Sequence, residues 1–148
     1  MSEHPPATDD LAWAVHHLAV AAAELDAAIA RRMGLTGGDY LALKHLSISG
    51  DPMGPVELGR LLGITSGAAT GLVDRLERHG LAERRPHPTD RRRQTVVITP
   101  HARQRLVDEL RPLADDIAGA SAALTGPQRR TVTDTLGRLA DLHRRHAR

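Results

Sequence analysis

The stretch LGITSGAATGLVDRLERHGL, residues 62–81, decides the fold. Gly63 interrupts one apolar pattern, and Thr65 or Ser66 offers a side-chain oxygen to cap the next. Leu72, Val73 and Leu76 then recur at helical spacing until Gly80 closes the run. Upstream, Pro55 suits the first turn of a helix reaching about Leu62, with Val56, Leu58, Leu61 and Leu62 as its apolar positions. Two short helices joined by a tight glycine-containing turn form a helix-turn-helix pattern. Downstream, residues 81–85, the turn-rich segment 86–93 and residues 94–99, with Val96 and Ile98 on one face, read as a β-hairpin.

Outward from this centre the pattern is helical. Thr36 and Asp39 have capping-box spacing and open a helix through Tyr40, Leu43 and Leu46 to about Ser47. Thr8, Asp9 and Asp10 offer caps and first-turn acids to a longer helix ending near Met33, where Arg31 and Arg32 complement the dipole and Gly34 takes the C′ position. Its apolar residues Leu11, Val15, Leu18, Ala22, Leu25 and Ile29 alternate at spacings of four and three, a seam that wants another helix. Thr99 and Pro100 start a further helix with Leu106, Leu110, Leu113, Ile117 and Leu124 in a similar seam, and Pro112 inside it predicts a kink or an early stop. Thr125, Pro127 and Gln128 open the last helix, which presents Val132, Leu136, Leu139 and His143. The expected fold class is mainly α with a small β-hairpin.

The 148 residues fit one domain or one compact subunit. At 41% apolar and 26% charged the composition is globular. With one Trp, one Tyr and no Phe, the core has to be aliphatic. The absence of Cys excludes disulfide scaffolds, cysteine-ligated zinc and thiol nucleophiles. The apolar run 11–23 is too short to cross a bilayer, and the acids and prolines of residues 1–10 do not suit a secretory signal. The expectation is a soluble, cytoplasmic protein with no membrane partner. Net charge is only +2, but residues 56–105 carry ten Arg against five acids while the remainder is acidic. All but one of the twenty Lys and Arg residues are Arg, whose planar fork suits phosphate and base edges.

These features together resemble the MarR family of winged helix-turn-helix transcription regulators. Val73 to Leu81 match the end of that family's recognition helix, and Pro88, Asp90, Arg91, Arg92, Ile98, Thr99 and Pro100 echo its wing. The opening at 35–40 and the order of the helices fit as well. Three departures from the pattern stand out: His87 stands for the usual Asp, His101 and Ala102 follow Pro100, and Gly71 falls where many members carry a long side chain. The resemblance implies a winged helix-turn-helix lobe at 36–100, N- and C-terminal dimerisation helices at 9–35 and 101–148, and a flexible arm at 1–8. It implies a homodimer that binds double-stranded DNA at a pseudo-palindromic operator as a ligand-responsive repressor, with no enzymatic activity and no cofactor.

The candidate DNA-binding residues are Thr65, Ser66, Gly67, Ala68, Thr70, Arg75, Arg84, Asp90, Arg91, Arg92 and Arg93. A helix can enter the major groove, and small residues in its first half allow close backbone approach with few strong base forks. Shape and minor-groove width are therefore expected to carry much of the preference. By resemblance Arg92 is the candidate for the minor groove, with Asp90 orienting the loop; a narrow groove concentrates negative potential and attracts Arg. Arg75 is open to two roles, contacting phosphate or pairing with a neighbouring acid.

The resemblance also implies a small aromatic or anionic effector, for which Trp13, His16, His17 and Tyr40 are candidate pocket residues, with core packing the alternative for Trp13 and Tyr40. His16, His17, His45, His101, His143 and His146 show no His-Glu-x-x-His spacing, so no metal site is expected. No Walker loop, dinucleotide fingerprint or acid/base constellation is present. Two rival classes stay open: a winged-helix module used only for protein contacts, and a metal- or ligand-binding enzyme, which would need such a constellation.

Overall fold

The computed structural model describes residues 10–147. Six helices and one hairpin follow in the order α1 Asp10–Met33, α2 Gly37–Ile48, α3 Pro55–Leu62, α4 Ser66–Arg78, β1 Ala82–Pro86, β2 Gln94–Ile98, α5 Pro100–Ala120 and α6 Gly126–His146. The caps follow the sequence. Thr36 Oγ1 accepts from the Asp39 N–H at 3.1 Å, Thr65 Oγ1 from Ala68 at 3.2 Å and Thr99 Oγ1 from Ala102 at 3.1 Å. Gly63 adopts φ +67°, the left-handed turn that lets α3 and α4 follow each other so closely. Thr8, Asp9 and the arm at 1–8 lie outside the described residues.

The chain divides into two compact units, residues up to Val107 and residues from Asp108 onward. The first holds the aliphatic core: Ile29 and Met33 of α1, Leu43 of α2, Leu58 of α3, Leu72, Val73 and Leu76 of α4, Leu81, Val96 and Ile98 of the hairpin, and Leu106 of α5 are all buried. Each fully buried Leu or Ile contributes about 1.5–3 kcal/mol of transfer free energy. Polar links tie the elements together: Lys44 of α2 reaches Asp26 of α1 at 2.7 Å, and Arg105 of α5 donates to the Met33 carbonyl at 3.3 Å. In the turn before α3, the Met53 carbonyl accepts from the Val96 N–H at 2.7 Å, and Gly54 sits so close to β2 that a Cβ there would lie 2.7 Å from the Gln94 carbonyl oxygen.

In the second unit the later part of α5 is followed by a turn and by α6, which opens on a capping box between Thr125 and Gln128. None of its described residues is buried. Of the kink or early stop expected at Pro112, the early stop does not occur, since α5 continues past it to Ala120. A proline deep in a helix removes one hydrogen bond without forbidding the rest, and here the flanking turns carry the helix through. Leu124, counted in the α5 seam, lies in the turn after Ala120, where its N–H donates to the Ser121 carbonyl at 3.1 Å.

Candidate nucleic-acid interface

The face formed by α4 and the hairpin is built from residues with opposite tasks. On α4, Ala69, Leu72, Val73 and Leu76 point inward, and Ala69 lies so near α3 that a Cβ on Gly59 would sit 3.0 Å from it. This leaves Thr65, Ser66, Gly67, Ala68 and Thr70 exposed along the first two turns. The Thr70 hydroxyl donates to the Ser66 carbonyl at 3.0 Å, so its methyl group and oxygen lone pair are what the surface offers. Gly71 adds no side chain, and the surface of the helix is smooth.

The hairpin is antiparallel, with Ala82 opposite Ile98 and Pro86 opposite Gln94. Its tip, residues 87–93, is held by a compact set of bonds. His87 N–H donates to the Arg93 carbonyl and Arg93 N–H to the Asp90 carbonyl, both at 3.0 Å. The Asp90 carboxylate accepts from the Arg92 N–H at 3.0 Å. The His87 Nδ1 accepts from the backbone N–H groups of Thr89 at 3.3 Å and Asp90 at 3.2 Å.

The arginines at 75, 84, 85, 91, 92 and 93 sort into two groups, whereas Arg78 of α4 donates only to the Asp74 carbonyl oxygen, at 3.4 Å. Arg75 forms a fork onto Asp39 of α2, Nε at 3.2 Å and the terminal nitrogen at 2.8 Å. Asp39 is 4% exposed, and its hydrogen bond and then its charge push the Arg75 guanidinium further up from its ordinary value. Of the two roles open to Arg75, the structure shows the ion pair. Arg84 pairs with Glu77 and, at 2.7 Å, with Asp74, which clamps β1 to α4. Arg85 pairs with Glu83, and Arg93 with Glu57 of α3. Glu57 also accepts the Gly54 N–H at 3.1 Å. The hydrogen bond from its own backbone N–H, then the Arg93 charge and the Gly54 N–H, hold its carboxyl below the ordinary range against the opposing effect of burial. Among the described residues, Arg91 and Arg92 have no acidic partner. Both are exposed, on the same tip that Asp90 shapes.

Sequence reading missed Glu57, Asp39, Asp74 and Glu77 as partners of these arginines. The three-residue spacing of Gly54 and Glu57 across Pro55 is a readable cap signal, whereas Asp39 and Arg75 are 36 positions apart and only the fold brings them together.

The candidate effector residues do not form one site. Trp13 stacks on His16 with ring centroids 5.4 Å apart and tilts against His17 at 5.0 Å, on an exposed stretch of α1 that Val20, Ala21 and Glu24 continue. Tyr40 is 1% exposed, in the core under α2, and does not line that recess. An aromatic ring on the inward side of a short helix packs where apolar area is most effectively removed from water, so Tyr40 takes the core role. Among the described residues, no group of three or more His, Asp or Glu is placed to hold a metal ion.

A sequence model described as MarR family matches residues 33–93, which span α2 through the hairpin tip. The HTH-type transcriptional regulator YcgE of Bacillus subtilis is 32% identical over 115 residues, covering 78% of this chain and 74% of that protein. The chain belongs to the MarR family. Over a shorter span of 74 residues, 49% of this MarR-family chain and 44% of the relative, it is 34% identical to the HTH-type transcriptional repressor YetL of the same organism. Its fold matches the crystal structure of the transcriptional regulator Tm0710 from Thermotoga maritima with a TM-score of 0.67 at 25% identity, covering 94% of this chain and 97% of that one. The architecture is thus the winged helix-turn-helix of MarR-family transcriptional regulators, with α4 in the place of the recognition helix and the hairpin in that of the wing. Among the described residues, no helix is long and apolar enough to cross a membrane.

Proposed function

We propose that this chain is a homodimeric repressor that binds a pseudo-palindromic DNA duplex, with α4 in the major groove and the tip of the wing in the adjacent minor groove. The observation that carries the reading is the sorting of the arginines. Arg75, Arg84, Arg85 and Arg93 are engaged by Asp39, Asp74, Glu77, Glu83 and Glu57, while on the wing tip Arg91 and Arg92 project with their charge uncommitted by any described acid, as do Arg60 of α3 and Arg78 of α4 in the body of the lobe. A guanidinium held out on a shaped loop beside an exposed helix of small residues suits a narrow, electronegative minor groove. Thr65, Ser66, Gly67, Ala68 and Thr70 supply the surface for the major groove. Arg75, Arg84, Arg93 and Asp90 act by positioning α4 and the wing.

The lobe at 36–100 is the reading head, and the helices at 9–35 and 101–148 join two copies. Leu11, Trp13, Leu18 and Val20 of α1, Leu113 and Ile117 of α5 and Val132 and Leu136 of α6 are exposed. Helices with bare apolar seams are stabilised by packing against others. A second copy covers these seams and places two α4 helices about one helical turn, ~10 base pairs, apart. Small-molecule control belongs to the same proposal, with the Trp13, His16 and His17 cluster as its candidate contact. The test is a salt titration of binding to a duplex taken from the chain's own upstream DNA. A steep fall of affinity with salt supports the proposal, and an affinity that salt leaves unchanged sends the lobe to the class of protein-contact modules.

A further inference from the structure

The tip of the wing carries a histidine where its shape needs an acceptor. Backbone N–H groups can only donate, so the contacts from Thr89 and Asp90 require His87 Nδ1 to be unprotonated, with the ring proton on Nε2. The Thr89 hydroxyl lies 3.3 Å from the same nitrogen. An Asp or Asn side chain commonly plays this part in a turn by accepting from the N–H two residues on. Here an imidazole takes it, and histidine is the side chain whose ordinary titration falls between pH 5 and 8.

We propose that His87 is a positioning residue for the wing and that its protonation loosens the tip and weakens duplex binding in mild acid. The inference rests on the reading that this wing engages DNA. A proton on Nδ1 turns the acceptor into a donor and sets it against two backbone N–H groups at once. The bonds from the Thr89 and Asp90 N–H groups are lost, and with them the arrangement in which Asp90 caps Arg92.

Charged neighbours do not rescue the turn. Within the tip they are Asp90, whose carboxylate accepts from Arg92 N–H, and Arg91, Arg92 and Arg93. From the surrounding elements they are Glu57, held by Arg93, and Arg85, held by Glu83, with Asp51 and Arg103 lining the recess beside Pro86 and Pro88. The positive charge that protonation adds acts in the opposite sense on a polyanion, so the sign of the pH effect separates positioning from direct phosphate contact.

The experiment compares the full chain with its His87→Asn and His87→Ala variants on the upstream duplex, each read as its own ratio of affinities between about pH 8 and about pH 5.5. The wild type is expected to lose on the order of tenfold across this range, the equivalent of one or two hydrogen bonds. His87→Asn keeps an acceptor that does not titrate there, so its ratio stays within about threefold, and His87→Ala binds weakly at both ends. A wild-type ratio equal to that of His87→Asn overturns the proposal, as does wild-type binding that tightens in acid more than the Asn variant's. In parallel, hydrogen exchange of the Thr89 and Asp90 amides without DNA should accelerate in acid relative to neighbouring amides in the wild type and not in His87→Asn. If no variant binds duplex at about pH 8, the DNA-binding reading fails, while the amide measurement still decides the role of His87.

Discussion

Replacing Arg92 by Ala tests how the charge of the wing is divided. The Arg92 side chain has no acidic partner among the described residues and only its backbone N–H is bonded, to Asp90, so the substitution leaves the turn intact and removes one cation from the tip. A dimer carries two wings. Each groove-inserted arginine is worth about 1–3 kcal/mol, so the variant is expected to bind its duplex at least about thirtyfold more weakly. Two lost phosphate-neutralising groups lower the slope of log K against log salt by about 1.8. Fluorescence anisotropy between about 50 and 200 mM salt measures both quantities on the same samples. The control is Arg84→Ala, whose guanidinium is spent on Glu77 and Asp74: it should lower stability by freeing β1 from α4 while changing the salt slope little. If Arg92→Ala leaves affinity and slope at wild-type values, or Arg84→Ala changes the slope as much, the sorting of the arginines does not govern binding.

Three further outcomes are expected. Leu136→Asp sets a carboxylate on the exposed seam of α6 and should shift the protein from dimer to monomer in sedimentation, with loss of helix signal. Gly54→Ala places a Cβ 2.7 Å from the Gln94 carbonyl oxygen, and denaturant unfolding should report a loss of about 1–3 kcal/mol as β2 is pushed away. Because the Glu57 carboxyl is held below its ordinary value of 4.5, it stabilises the folded lobe above that pH, and this contribution disappears as acidity rises through the lowered value. Glu57→Gln should therefore flatten the acid limb of a plot of stability against pH.

Much of this architecture is legible in the residues because it is set locally. Thr36, Thr65, Thr99 and Thr125 announce four helix starts through short-range side-chain bonds, and Gly63 and Gly80 mark turns that need a left-handed residue. The hairpin follows from Val96 and Ile98 alternating beside a polar, turn-rich loop. Pro112 misleads because proline is a strong local signal against a helix, yet turns on both sides outweigh a single missing bond. For Tyr40 the sequence leaves two roles open, and its helical spacing with Leu43 and Leu46 matches the one the structure shows, with all three buried. The candidate interface is half legible. The run Arg91, Arg92, Arg93 is visible as charge, but which of the three is neutralised depends on Glu57, 36 positions from Arg93. Likewise His87 is visible as a departure from the family pattern, while its part in the turn appears only when Thr89 and Asp90 aim their N–H groups at one nitrogen.

The bare surface of α6 has a consequence for the life of the molecule in the cell. No residue of this helix is buried within its own chain. Under the proposed association, its folded population rises with the concentration of the chain itself. Newly made or diluted copies expose residues 126–146 to proteases, whereas assembled ones shelter them. Turnover then slows as the protein accumulates, giving a threshold in abundance that needs no separate timing component.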